Sequence, residues 1–111
     1  MPGKQLERRQ RKIMAEIAKL GFCLPGSLVE RTTRCGNPKC HCFTDPDRLH
    51  GPYPSWTRKV AAKTVTRTLS ATQVERYKPW FDNSRRLREL TDELEALSVQ
   101  AADESEGWIS P

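Results

Sequence analysis

The stretch GPYPSWTRKVAAKTVTRTLS, residues 51–70, decides the fold. Two runs, Tyr53–Val60 and Lys63–Leu69, flank Ala61 and Ala62. Both are rich in the β-branched and aromatic residues that suit a pleated surface, so they predict a β-hairpin. Alternation sets Trp56, Val60, Val65 and Leu69 on one face, and Tyr53, Ser55, Thr57, Lys59, Thr64, Thr66 and Thr68 on the other. Two details strain the reading. Arg58 and Arg67 fall on the apolar face, which points to a bulge or an edge position. Alanine also disfavours the positive φ of a type I′ turn, so a turn longer than two residues is expected.

Downstream, Ser70 and Gln73 form a capping box at the end of the second run and start a helix. Val74, Tyr77, Trp80 and Phe81 continue as an apolar stripe, with Pro79 expected to kink or break the helix. From Asn83, the residues Leu87, Leu90, Leu94 and Leu97 recur at alternating 3- and 4-residue steps, a seam for another helix. It is only about two heptads long, too short to establish an autonomous coiled coil. A C-terminal helix is expected over 71–100, followed by a disordered acidic tail at 101–111.

Upstream lies the strongest chemical signal, CGNPKCHCFTDPDRLH from Cys35 to His50, with the spacing C-x4-C-x-C-x7-H. Zinc takes four tetrahedral ligands from Cys thiolates and His nitrogens, held by tight turns. Gly36 allows a close bend after the first cysteine, Pro38 stiffens the link to Cys40, and Pro46 with Asp45 and Asp47 marks a loop that can return His50. Cys35, Cys40, Cys42 and His50 therefore read as the ligands of one structural Zn2+, with no open position for substrate. His41 competes with His50, and Cys23, in an apolar setting, reads as a buried thiol. Two disulfides or unligated thiols are the alternatives. The charged start MPGKQLERRQRK, with no apolar run after it, weighs against an exported, disulfide-bonded protein.

SLVERTTR (27–34) reads as a strand entering this loop after the Pro25–Gly26 turn. Residues 4–20 read as a helix, with Leu6, Ile13, Ile17 and Leu20 on one stripe, Arg8, Arg9, Arg11 and Lys12 around the rest, and Gly21 as the stop. The expected fold class is α+β: an N-terminal helix (1–22), a zinc loop and small zinc-stapled antiparallel sheet of strand plus hairpin (23–70), and a long C-terminal helix. Apolar content is 36% of 111 residues, a lean core of the kind that benefits from a metal staple. The C-terminal seam fits the N-terminal helix of the same chain, or its copy in a dimer. The first is preferred because both stripes need burial in so small a protein.

Charge is asymmetric. All nineteen Lys and Arg fall in residues 1–88 beside seven acids, while 89–111 hold the other seven acids and no base. The segment from Arg48 to Val74 contains no acid at all. A basic, Thr-rich ribbon suits a major groove, where hydroxyls and amines reach base edges and phosphates. The expected nucleic-acid contacts are Arg48, Arg58, Lys59, Lys63, Thr64, Thr66 and Arg67, with Arg85 and Arg86 as a second cluster. A solvated, salt-bridged surface is the competing reading of each cluster.

The run PGSL…RCGNPKCHC…HGPY, followed by KTVTRTLS and NSRRLRELTDELEALS, resembles an uncharacterised family of small bacterial proteins. That family carries a CG-x3-C-x-C…HGPY signature and often lies near mobile-element genes. The resemblance spans about residues 20–98. It implies Cys35, Cys40, Cys42 and His50 as shared polar positions and a mobile-DNA setting, and it supplies no activity. The hairpin-then-helix order is also similar, in architecture alone, to the arm-type DNA-binding domains of tyrosine integrases.

No glycine-rich phosphate loop or Ser/His/Asp set is present, so an enzyme is not expected. The reading favoured is a cytoplasmic, zinc-stabilised nucleic-acid-binding accessory protein, with DNA preferred and no membrane association. The alternative is a zinc-stabilised interaction or dimerisation module that uses Leu87, Leu90, Leu94 and Leu97.

Overall fold

Three strands, β1 (Ser27–Thr33), β2 (His50–Val60) and β3 (Lys63–Thr68), pair antiparallel in the order β1-β2-β3. Helix α1 (Lys4–Ala18) precedes them and α2 (Ala71–Glu106) follows, which is the expected α+β class. This computed structural model describes residues 3–33 and 50–108, with side chains at 3–30 and 53–108. The chain divides into two units. One is Leu24–Phe81, and the other joins the segment ending at Cys23 to the segment beginning at Asp82.

In the sheet unit the hairpin register runs without interruption from Ser55↔Thr68 to Val60↔Lys63. Ala61 and Ala62 alone make the turn, with φ of 51° and 67°. The longer turn expected from the sequence does not form. Six consecutive cross-strand pairs outweigh a left-handed cost of about 1–2 kcal/mol per alanine. The irregularity that Arg58 and Arg67 suggested is absent from the hairpin, and the single register shift lies in β1 between Arg31 and Thr33. Arg67 is instead accommodated on β3, an edge strand.

Trp56 anchors the sheet. Its Nε1 donates to the Pro25 carbonyl at 2.8 Å, and its ring meets Phe81 edge-on at 6.2 Å between centroids. Phe81 and Leu69 are buried, and the Leu69 amide donates to the Pro54 carbonyl at 2.8 Å. Gly26 makes the close approach possible. At φ 100°, a Cβ there would stand 2.5 Å from the Thr57 carbonyl oxygen and 2.7 Å from Trp56 Nε1.

The capping box forms as expected: the Gln73 amide donates to Ser70 Oγ at 3.1 Å, and the Ser70 amide donates to Gln73 Oε1 at 2.8 Å. Pro79 does not break α2, which runs unbroken from Ala71 to Glu106. Proline removes one intrahelical bond. The aromatic packing around it, with Trp80 against Tyr77 at 5.0 Å and Phe81 buried, holds both sides of that gap in helix. The helix also overruns the expected end at 100. Residues through Glu106 are helical, and Gly107 at φ 69° stops them, with the Trp108 amide donating to the Asp103 carbonyl at 2.9 Å. That is a Schellman stop, whose glycine outweighs the acidic composition of the segment.

In the helical unit Leu6 lies beside Leu97 and Ala101, and Ile13 beside Leu90, so α1 and the second half of α2 run antiparallel. Leu6, Leu90 and Leu97 are buried, while Leu87 and Leu94 are half-buried. The leucine seam thus meets the N-terminal helix of its own chain. Helix α1 ends at Ala18, ahead of Gly21, by tightening: the Lys19 and Leu20 amides donate to the Glu16 and Ile17 carbonyls. Asn83 Nδ2 then donates to the Phe22 carbonyl at 3.0 Å and ties the following segment to α2. Cys23 is half-buried, its Sγ turned toward the Gly21 carbonyl at 3.5 Å.

Candidate nucleic-acid interface

The register sorts the hairpin's polar residues onto two faces. Thr57 pairs with Thr66, Lys59 with Thr64, and Ser55 with Thr68, so these six share one face. The pairing of β1 with β2 extends that face through Ser27 and Val29, opposite Thr57 and Ser55. Tyr53, Val29, Lys59, Thr64, Thr66 and Thr68 are exposed. Ser55, flanked in register by Val29 and Thr68, is buried at the centre. No acidic side chain belongs to this face among the described residues; Glu30 pairs with Pro54 and belongs to the other.

That other face carries Arg58, Lys63 and Arg67, paired with Val65, Val60 and Trp56 respectively. The nine contacts expected from the sequence are therefore not one patch. Lys59, Thr64 and Thr66 come together, and Arg58, Lys63 and Arg67 form a second group behind them. Arg58 already stacks on Trp56, its guanidinium carbon 4.4 Å from the ring centroid. Arg85 and Arg86 belong to the helical unit. There Arg85 pairs with Asp82 at 2.6 Å, and Arg86 pairs with Glu89 at 3.1 Å and Glu93 at 3.9 Å. Exposed pairs of this kind are each worth about 0–1 kcal/mol, so they leave the arginines available to stronger anions.

Arg48, Cys35, Cys40, Cys42 and His41 lie outside the described residues. His50 is described by its backbone, which pairs with Thr33. The ends of the 34–49 connection are therefore brought to neighbouring strand positions. Among the described residues no group of three or more His, Cys, Asp or Glu could hold a metal, and no helix is long and apolar enough to cross a membrane.

The hairpin alternation found the Thr/Lys face. It missed the contribution of β1, although the period-2 pattern of SLVERTT carries the same signal.

Chemically, the face offers hydroxyls that donate and accept, one tyrosine ring edge and an ammonium near the hairpin tip. These groups define a small α+β protein with a sheet face that is free of acids among the described residues. The family model described as a domain of unknown function (DUF6788) matches residues 3–79, and the chain belongs to that family. The match takes in α1, the sheet and the start of α2 as far as Pro79. No curated protein and no solved structure matches the chain.

Proposed function

We propose that this protein binds nucleic acid, with duplex DNA as the favoured partner, through the Thr57/Lys59/Thr64/Thr66 face of its sheet. The observation that carries this reading is the arrangement of cross-strand Thr–Thr and Lys–Thr pairs on an exposed surface that holds no acid. A two-stranded ribbon fits a major groove of roughly 12 Å width, and threonine hydroxyls and methyls suit base edges there. Arg58, Lys63 and Arg67, on the reverse face, raise the local potential and reach flanking phosphates, which set register without reading sequence.

A structural zinc fits this reading. The sixteen-residue connection 34–49 joins two paired strand ends, and a link of that length between neighbouring strand positions suits a constraint of its own. Three thiols and one imidazole, from Cys35, Cys40, Cys42 and His50, are a donor set suited to tetrahedral Zn2+. The metal would hold β1 and β2 in register at the end remote from the hairpin tip, and would supply no open position for chemistry.

The test is fluorescence anisotropy of labelled duplex DNA, single-stranded DNA and RNA across a salt series. Binding to the duplex should weaken steeply as salt rises, because each phosphate neutralised releases counterions. Absence of salt-sensitive binding to any of the three ends the proposal.

A further inference from the structure

The α1/α2 hairpin of the helical unit has two unlike flanks. On one, Arg9, Lys12 and Glu16 of α1 look across a groove at Arg86, Glu93 and Gln100 of α2. On the other, Glu7 and Gln10 line a groove with Ser98 and Ala101. Helical spacing continues that second flank through Met14 and Ile17 on α1, and through Thr91 and Leu94 on α2. Apart from Glu7, and with Arg11 and Glu95 only at its outer edges, it carries no charge: Gln10, Met14 and Ile17 on α1 face the same way as Thr91, Leu94, Ser98 and Ala101 on α2. Its two hydroxyls are already used, Thr91 Oγ1 donating to the Leu87 carbonyl at 2.8 Å and Ser98 Oγ to the Leu94 carbonyl at 2.7 Å. Met14 is 42% exposed, and Leu94 and Ile17 are only half-buried.

Two helices with three buried leucines between them make a thin core. Short helices are marginal in water unless an apolar face is covered. We propose that the cover is a second copy of this chain, packed flank to flank so that α1 of each copy lies on α2 of the other and the four helices form an antiparallel bundle. Charge selects both the occupant and the arrangement. Helix α1 carries five bases and two acids, whereas α2 from Glu89 to Glu106 carries seven acids and no base. A partner must therefore offer an acidic helix to one half of the surface and a basic helix to the other, side by side. This chain has that pair. The opposite two-fold arrangement would lay basic α1 on basic α1 and acidic α2 on acidic α2.

A two-fold axis parallel to the helices leaves heights unchanged. Within one chain, Leu6 is level with Leu97 and Ile13 with Leu90, which sets Arg9 near the height of Glu93. Arg11 of one copy then stands within about one helical turn of Glu95 of the other, and both are exposed residues at the outer edge of the flank. This inference does not depend on the sheet face, so the two proposals fail separately.

The experiment is sedimentation equilibrium of the full-length chain across the micromolar range, with circular dichroism to check helix content. The wild type should weigh twice the chain mass. Thr91→Glu/Ser98→Glu, which puts charge on the flank at exposed positions, should weigh one chain with helix retained. Arg11→Glu and Glu95→Arg should each weaken the dimer about tenfold, and the double variant Arg11→Glu/Glu95→Arg should restore it. A monomeric wild type, a dimer indifferent to the Thr91/Ser98 charges, or a double variant weaker than either single one overturns the proposal.

Discussion

Gly26 is the residue on which the sheet unit turns. Its left-handed backbone brings the chain against β2 where no Cβ has room, the nearest obstacle being the Thr57 carbonyl oxygen, which is backbone and cannot rotate away. The same approach lets Trp56 reach the Pro25 carbonyl. Gly26→Ala is therefore expected to cost about 2 kcal/mol or more, read as a lower midpoint in urea unfolding; an unchanged midpoint would show that the approach is slack. The two turn alanines carry the opposite liability. Both hold a left-handed φ, and a methyl side chain can make no compensating hydrogen bond, so Ala62→Gly is expected to raise stability by about 1 kcal/mol without changing the register. A lower thermal midpoint in that variant would contradict the turn geometry.

At the scale of elements, the sheet and helix caps were legible because their signals are local. Alternation located both hairpin strands, and the Ser70/Gln73 spacing located the start of α2 to the residue. Ser70→Ala should cost about 1 kcal/mol in thermal unfolding, as the loss of an N-cap does. Local signals failed where packing or backbone geometry overrode them. Proline at 79 read as a kink or a break, and of these the break does not occur: α2 continues through it, with aromatic contacts on both sides. The acidic end read as disorder, yet Gly107 was already present as a stop six residues past Ala101, and acids before it do not prevent helix. Ala61–Ala62 read as too poor a turn, because propensity was weighed without the six pairs that close it. Alternation made the Thr/Lys face of the hairpin legible, but not the cross-strand pairing within it or the share contributed by β1. Which of the basic residues stand together depends on a register that periodicity predicts only once the turn length is known.

For the whole molecule, each unit has its own small core and its own exposed surface. Trp56, Leu69 and Phe81 serve the sheet, and Leu6, Leu90 and Leu97 serve the helices. The proposed division of labour follows: the sheet's Thr/Lys face meets nucleic acid, the helical flank of Met14, Thr91 and Ser98 meets a second copy, and zinc in the 35–50 loop holds β1 and β2. Native mass spectrometry should find one zinc per chain, lost together with folding in Cys40→Ser; a folded, metal-free protein in chelator would remove the staple from the account. The central claim concerns the sheet face, and neighbouring positions on β3 test it directly. Thr66 and Arg67 are both exposed on an edge strand and belong to opposite faces. Thr66→Glu changes the charge by one unit and Arg67→Glu by two, so a binding mode driven by charge alone would suffer more from the second. The decisive measurement is the affinity of these two variants for duplex DNA at one salt concentration. The account predicts that Thr66→Glu weakens binding more than Arg67→Glu; the reverse order, with both variants folded, would contradict it.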